Sequence, residues 1–232
     1  TRWPYAAAWH ITHLFQRKKR IVLYCEDAFD ALLFENVQKH LPPIPLVAKN
    51  KKVRDKLRSM NLNASCPPTF PDAVIMFRKS AWKFPVKQIT KIGFTHGAYS
   101  FKRFPKAYYY NMFDVFFLTS KADEQRMKEH GVTTGKVIGY PKTDSILDGT
   151  LNEDKQKELA DTIGLDPKKK NILFSATWDG SGMSAIDKWY DRLDSLSSQY
   201  NILVTVHSWM SEHFVEPLKS KPDIHFIQDY NI

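Results

Sequence analysis

Two histidines and a glycine-bearing loop are the residues through which this chain could do chemistry. The stretch Gly93-Phe94-Thr95-His96-Gly97-Ala98-Tyr99-Ser100-Phe101-Lys102-Arg103 brings an expected strand to its end at a histidine beside a glycine, with two adjacent cations just downstream. An imidazole on such a loop exchanges a proton near neutrality, its unperturbed pKa being about 6.5. A second histidine, His207, ends the apolar run Asn201-Ile202-Leu203-Val204-Thr205-Val206. Thr177 and Trp178 lead from another run into Asp179-Gly180-Ser181-Gly182-Met183. In a β-loop-α-β unit the loop after the first strand and the end of the second open on one edge, so Thr177, Trp178, the 179–183 loop and His207 are expected to line one crevice. Gly180 and Gly182 let main-chain amides approach a ligand around Ser181, and a helix expected from near Ser184 would aim its free N–H groups at an anion. The Gly-x-Gly is shorter than a Walker loop or a dinucleotide fingerprint. Taken singly, each feature is also what a flexible turn or a hydrogen-bonded structural histidine looks like. Between Tyr99 and Tyr110, Lys102, Arg103 and Lys106 interleave with Phe101, Phe104 and three tyrosines, a mixture that suits a polyanion.

The elements that must position these residues alternate along the chain. Apolar runs at 21–25, 46–48, 73–77, 89–95, 114–119 and 136–138 read as strands, separated by stretches with helical spacing such as Ala28, Leu32, Leu33, Asn36 and Val37. Asn50 and Ser120 stand where helix caps are needed, and Gly131 and Gly164 where helices stop. Thr150-Leu151-Asn152-Glu153 reads as a capping box. Strand runs then resume at 171–176, 201–206 and 224–227, with Ile186, Trp189, Tyr190, Leu193 and Leu196 on one expected helical face between the first two. The pattern predicts parallel sheets with helices on both faces. The expected division is an N-terminal α/β domain over 1–149, an inter-domain passage with a helix over 150–170, and the start of a second α/β domain over 171–232.

Charge divides the same way. Residues 1–110 hold 20 Lys and Arg against 6 Asp and Glu, and residues 111–232 hold 14 against 19. The basic front half favours an anionic partner or, at the least, a basic soluble surface. Cys25 and Cys66 have no metal-ligand spacing, which fits a reducing compartment. No run reaches the roughly 20 apolar residues of a spanning helix, and no signal peptide is visible. Both ends read as cuts in a longer protein. Trp3, Tyr5, Trp9, Leu14 and Phe15, followed by Arg17-Lys18-Lys19-Arg20, suit either a helix on an anionic membrane or one packed on its own domain.

Thr95-His96-Gly97, Gly139-x-Pro141-x-x-Asp144, Ile172-Leu173-Phe174-x-x-Thr177-Trp178 and Val204-x-x-His207 together resemble the CDP-glycerol glycerophosphotransferases, the family that builds teichoic acids and related capsule polymers. The resemblance runs over roughly residues 90–232 and implies two Rossmann-like α/β domains of glycosyltransferase-B type, the second incomplete in this chain. It also implies an acceptor bound mainly by the first domain and a CDP-activated polyol donor bound mainly by the second. The family's His-Gly histidine falls on His96, the expected base for the acceptor hydroxyl. Its second falls on His207, expected at the donor pyrophosphate with Thr177 and Trp178. Lys102, Arg103 and Lys106 would hold an anionic polymer or lipid-linked acceptor, with Gly97, Pro141 and Asp144 in support. The chain departs from the family's common residues at Ala98, Lys142, Asp179 and Ser208. No metal-ligating residues are singled out and no cofactor is expected, the nucleotide-activated donor being a substrate. Nucleic acid is not an expected partner, and the expected place is the cytoplasm, with the inner face of the membrane as one option within it. Two other readings stand beside this one: a nucleotide-sugar glycosyltransferase or epimerase of the same fold, and a non-catalytic polyanion- or membrane-binding module.

Overall fold

The computed structural model describes residues 2–97, 105–207 and 209–227. The chain divides into two units, Thr1–Thr150 and Leu151–Ile232. In the first, α1 (Arg2–Phe15) is followed by β1 (Ile21–Cys25), α2 (Phe29–Gln38), β2 (Leu46–Ala48), α3 (Lys51–Ser59), β3 (Ala64–Ser65), β4 (Ala73–Met76), β5 (Thr90–Phe94), α4 (Ala107–Tyr110), β6 (Val115–Leu118), α5 (Lys121–Glu129), β7 (Gly135–Val137) and α6 (Asp144–Leu147). Its described strands form one parallel sheet in the order β3-β2-β1-β4-β5-β6-β7. The second unit holds α7 (Glu153–Ile163), β8 (Lys170–Ala176), β9 (Tyr200–Val206), α8 (Glu212–Lys219) and β10 (Ile224–Ile227), with its described strands parallel in the order β10-β9-β8.

β1 lies inside the first sheet, and its side chains alternate between two cores. Val22 and Tyr24 join Val74, Met76 and Phe116 on one face, while Leu23 and Cys25 join Phe34, Leu57 and Phe94 on the other. Helix α1 covers the first face through Trp9, whose indole Nε1 donates to Pro71 O at 2.8 Å, and Tyr5, whose hydroxyl donates to Thr69 O at 2.8 Å. Its opposite face turns outward: Trp3 is 88% exposed, Leu14 79% and Phe15 81%. The helix is therefore packed on its own unit and still presents an apolar stripe. Among the described residues no helix is long and apolar enough to cross a membrane.

The expected caps at Asn50 and Ser120 form, accepting from Val53 N at 3.0 Å and Asp123 N at 3.1 Å. Other expectations shift. The cap of α7 is Asn152, accepting from Lys155 N at 3.0 Å, rather than Thr150. The 150–170 stretch, expected as a passage between domains, is bonded into the second unit: Asp166 N donates to Asn201 Oδ1 at 3.0 Å and Lys169 Nζ to Ser197 O at 2.8 Å. The helix expected through Ile186 and Leu196 is replaced by two short 3-10 turns, Ile186–Lys188 and Leu193–Leu196. Its hydroxyls explain this, since Ser195 Oγ donates to Arg192 O and Ser197 Oγ to Asp194 O, local bonds that compete with a continuous helix.

Gly93 lets β5 run flush against the neighbouring aromatics. A Cβ at that position would lie 2.2 Å from Phe116 Cδ2 and 2.9 Å from Phe113 Cδ1, both rings being buried. Gly93→Ala is expected to lower stability by about 1–3 kcal/mol, the usual range for overpacking, read as a lower urea midpoint at unchanged slope.

Candidate functional site

In a parallel sheet all strands deliver their carboxyl ends to one edge, and both expected histidines arrive there in their own unit. Past the end of β5, Thr95 prolongs the pairing with β6: its N–H and its hydroxyl both donate to Phe117 O, at 3.1 and 2.8 Å. The next residue, His96, is thereby held at the sheet edge with its side chain exposed, followed by half-buried Gly97. Lys106 is exposed just before α4, whereas Lys102 and Arg103 lie outside the described residues. Gly139 takes a φ of +91°, in the left-handed region that favours glycine, and the turn after it docks on α2. There Asn36 Nδ2 donates to Pro141 O at 2.8 Å, and Ser145 Oγ donates to Asn36 Oδ1 at 3.1 Å. Pro141 and Asp144 thus belong to a return of the chain across α2. Lys142 between them lies with its ammonium 4.7 Å from the Phe29 ring centroid, and burial pulls its pKa down.

At the same edge, between β1 and β4, stands a charged cluster that the sequence reading missed. Asp30 is 0% exposed. Its Oδ2 accepts from Glu26 N at 2.9 Å and Asp27 N at 3.1 Å, and its Oδ1 accepts from Arg78 Nε at 3.1 Å. Burial pushes the Asp30 pKa up, against the pull of Arg78 and the two amides. Glu26 lies 3.4 Å from Lys83 Nζ and 3.7 Å from Lys49 Nζ. Lys83 also donates to the Tyr24 hydroxyl at 3.0 Å, a phenol whose pKa burial pushes up. The signal for this cluster is Glu26-Asp27 and Arg78-Lys79, neighbouring residues of like charge placed directly after apolar strand runs.

In the second unit, His207 N donates to Ala176 O at 3.1 Å, prolonging the β8–β9 pairing by one residue and setting the histidine beside the start of the 177–183 loop. Trp209 N–H donates to His207 Nδ1 at 3.1 Å. With Nδ1 occupied as an acceptor, the proton of the neutral ring sits on Nε2, which becomes a donor. The Trp209 ring meets Trp178 and His207 edge to face, each pair with centroids 5.6 Å apart. Asp179 ties the two loops together, accepting from Ser211 N at 3.1 Å and Ser211 Oγ at 2.8 Å, and these bonds lower its pKa. Ser211 immediately precedes α8, so the carboxylate also faces the positive end of that helix.

The main-chain cradle expected at 180–184 takes a different form. Ser181 N donates to Trp178 O, Gly182 N to Asp179 O and Met183 N to Ser181 Oγ, all at 3.1 Å, so these amides serve the turn itself. The helix expected from near Ser184 is replaced by 3-10 turns, and the helix end that meets the loop is that of α8, at Asp179. Gly180 instead gives room to an aromatic wall, since a Cβ there would lie 2.5 Å from Trp178 Cζ3. Thr177, Trp178, Asp179, His207 and Trp209 are the residues this edge brings together. A recess of about 170 Å³ lined by Asp166, Lys169, Asn201 and His225 opens on the opposite, amino-terminal edge of this sheet. Its polar groups bond each other, as Asn201 Nδ2 does to Asp166 O at 2.8 Å, and it serves the fold.

No curated protein sequence matches the chain. Among solved structures, the chain is similar to a wall teichoic acid polymerase, TagF, soaked with CDPG, at a TM-score of 0.64 and 13% identity over 99% of this chain and 70% of that one. It is also similar to S. aureus MnaA in a co-structure with UDP, at a TM-score of 0.56 and 13% identity over 90% and 68% of the two chains. A third likeness is to UDP-N-acetylglucosamine 2-epimerase from Rickettsia bellii, at 0.55 and 14% over 90% and 68%. These likenesses establish the fold, an α/β architecture of glycosyltransferase-B type. Residues 89–232, more than half of the chain, match the family model described as CDP-Glycerol:Poly(glycerophosphate) glycerophosphotransferase, and the chain belongs to that family.

Proposed function

We propose that this chain transfers glycerol phosphate from CDP-glycerol to a hydroxyl of a growing cell-wall or capsule polymer. What carries the reading is one observation: within the span matched by the family, each parallel sheet ends a strand at a histidine on its carboxyl edge. In the proposed reaction His96 takes the proton of the acceptor hydroxyl. The oxygen attacks the donor phosphorus proximal to glycerol, a new P–O bond forms there, the bridging P–O bond of the pyrophosphate breaks, and CMP leaves. His207 acts as a neutral Nε2–H donor to the leaving phosphate, which replaces the protonated imidazole that a purely electrostatic role would require. Thr177 and Trp178 flank that phosphate, with Gly180, Ser181 and Gly182 shaping the wall behind it. Lys106, and Lys102 and Arg103 with it, hold the anionic acceptor. The reaction needs no cofactor beyond the donor itself.

His96→Ala is expected to reduce CMP release from CDP-glycerol by about 10²–10⁴-fold while CDP binding is retained. His207→Ala is expected to cost about 10²–10³-fold in kcat. Both are measured by nucleotide release in the presence of a glycerol phosphate oligomer, with UDP-N-acetylglucosamine as a parallel substrate. Normal turnover in His96→Ala ends the proposal, and turnover of the UDP-sugar alone favours the epimerase or glycosyltransferase reading. Asp179→Ala, by releasing Ser211 and the loop that carries His207, is expected to weaken CDP binding without unfolding either unit, measured by titration calorimetry alongside circular dichroism.

The outward stripe of α1 supports a place at the cytoplasmic face of the membrane. Trp3, Leu14 and Phe15 would enter the lipid, and Arg17-Lys18-Lys19-Arg20 would meet anionic head groups. The chain is expected to sediment with phosphatidylglycerol vesicles but not with phosphatidylcholine alone. Replacing Trp3, Leu14 and Phe15 with serine should abolish that binding at unchanged stability.

A further inference from the structure

The geometry points to a second ligand site, the crevice at the carboxyl ends of β1 and β4, which binds the phosphate-bearing polyol end of the acceptor with Arg78 as its anchoring cation and Lys49, Lys83 and Glu26 around it. The inference rests on the glycerophosphotransferase reading for the identity of the ligand, and on the first unit alone for the site.

The topology selects the place. β1 has β2 on one side and β4 on the other, so the connections leaving β1 and β4 depart toward opposite edges of the sheet. Open parallel sheets leave a crevice at such a switch point, outside the carboxyl ends of the strands, and ligands bind there.

The side chains supply the chemistry. A carboxylate as buried as Asp30 is costly to keep charged, and its bond to Arg78 spans 48 positions of sequence, so the pair links β1 and β4 at the crevice. Asp30 engages Arg78 through Nε, and a guanidinium carries four further N–H donors on its two Nη nitrogens, in the planar fork that fits phosphate oxygens. Arg78 remains partly exposed. Beside it two ammonium groups, Lys49 and Lys83, share the single carboxylate of Glu26, which leaves that trio positive. Glu26 matters for a second reason: its Oε1 is buried and, although it pairs with Lys83 Nζ at 3.4 Å, takes no hydrogen bond among the described residues. A free phosphate would be repelled by that oxygen. A ligand carrying a phosphate and hydroxyls together places its phosphate on Arg78 and the lysines and donates a hydroxyl to Glu26, and a glycerol phosphate repeat is such a ligand.

The test is calorimetric titration of the whole chain with a short glycerol phosphate oligomer and, separately, with CDP. Arg78→Gln is expected to weaken oligomer binding by about tenfold or more, Arg78→Lys and Lys83→Gln by less, with CDP affinity within about twofold of the parent. Lys87→Gln removes an exposed charge just before β5, at the opposite edge of the sheet, and is expected to bind the oligomer as the parent does. Circular dichroism and thermal melting establish that each variant is folded, and Lys83→Gln carries the test if Arg78→Gln is not. Oligomer binding that is absent in the parent, unchanged in the folded variants, or weakened equally by Lys87→Gln overturns the inference. Arg78-dependent binding in a chain that releases no CMP from CDP-glycerol would refute the glycerophosphotransferase reading and leave the site standing. Normal transfer at an unchanged acceptor KM in Arg78→Gln would do the reverse.

Discussion

The parallel pairing of β1 with β2 and β4 is the constraint from which the first unit follows. A strand paired on both sides and covered on both faces must be apolar throughout, and Val22, Leu23, Tyr24 and Cys25 are all buried. Because parallel strands share a direction, whatever follows each of them collects at one edge. Glu26, Arg78 and His96 reach that edge from three different strands for this reason, and their chemistry is a consequence of chain direction before it is one of side-chain contact. Burial of the aromatic faces around Phe94, Phe113 and Phe116 then fixes where the edge sits, since packed rings leave little room for a strand to slide.

The second unit reaches a similar result with fewer elements. Among the described residues, the 177–183 loop and the stretch around Trp209 that follows β9 meet at its edge, and one carboxylate joins them. That carboxylate is Asp179. Here it faces the start of α8 and two donors of Ser211, so an acidic residue beside an expected phosphate site belongs to the loop's own architecture. The resulting wall of Trp178 and Trp209 is aromatic, where the sequence suggested a ring of main-chain amides.

Much of this was legible before any coordinates. Alternation of apolar runs with helical spacing, punctuated by Gly131, Gly164 and the capping residues, gives parallel sheets because those signals are local. His96 and His207 are legible as strand-end residues for the same reason. The failures are those of non-local or competing physics. Asp30 and Arg78 meet only because β1 and β4 are neighbours in space, which no spacing rule conveys. The helix expected through 186–196 fails because hydroxyl groups offer its carbonyls nearer partners. Helix α1 carries apolar residues on two faces, so composition could not say which one the core would take, and Trp9 decides it through a hydrogen bond to Pro71.

The Trp209 peptide N–H donates to His207 Nδ1, so a main-chain group takes part in fixing the tautomer of the ring. That bond asks of position 209 only an N–H, so a change of side chain there would alter the aromatic wall without removing the bond. Proline is the single residue type that breaks the arrangement.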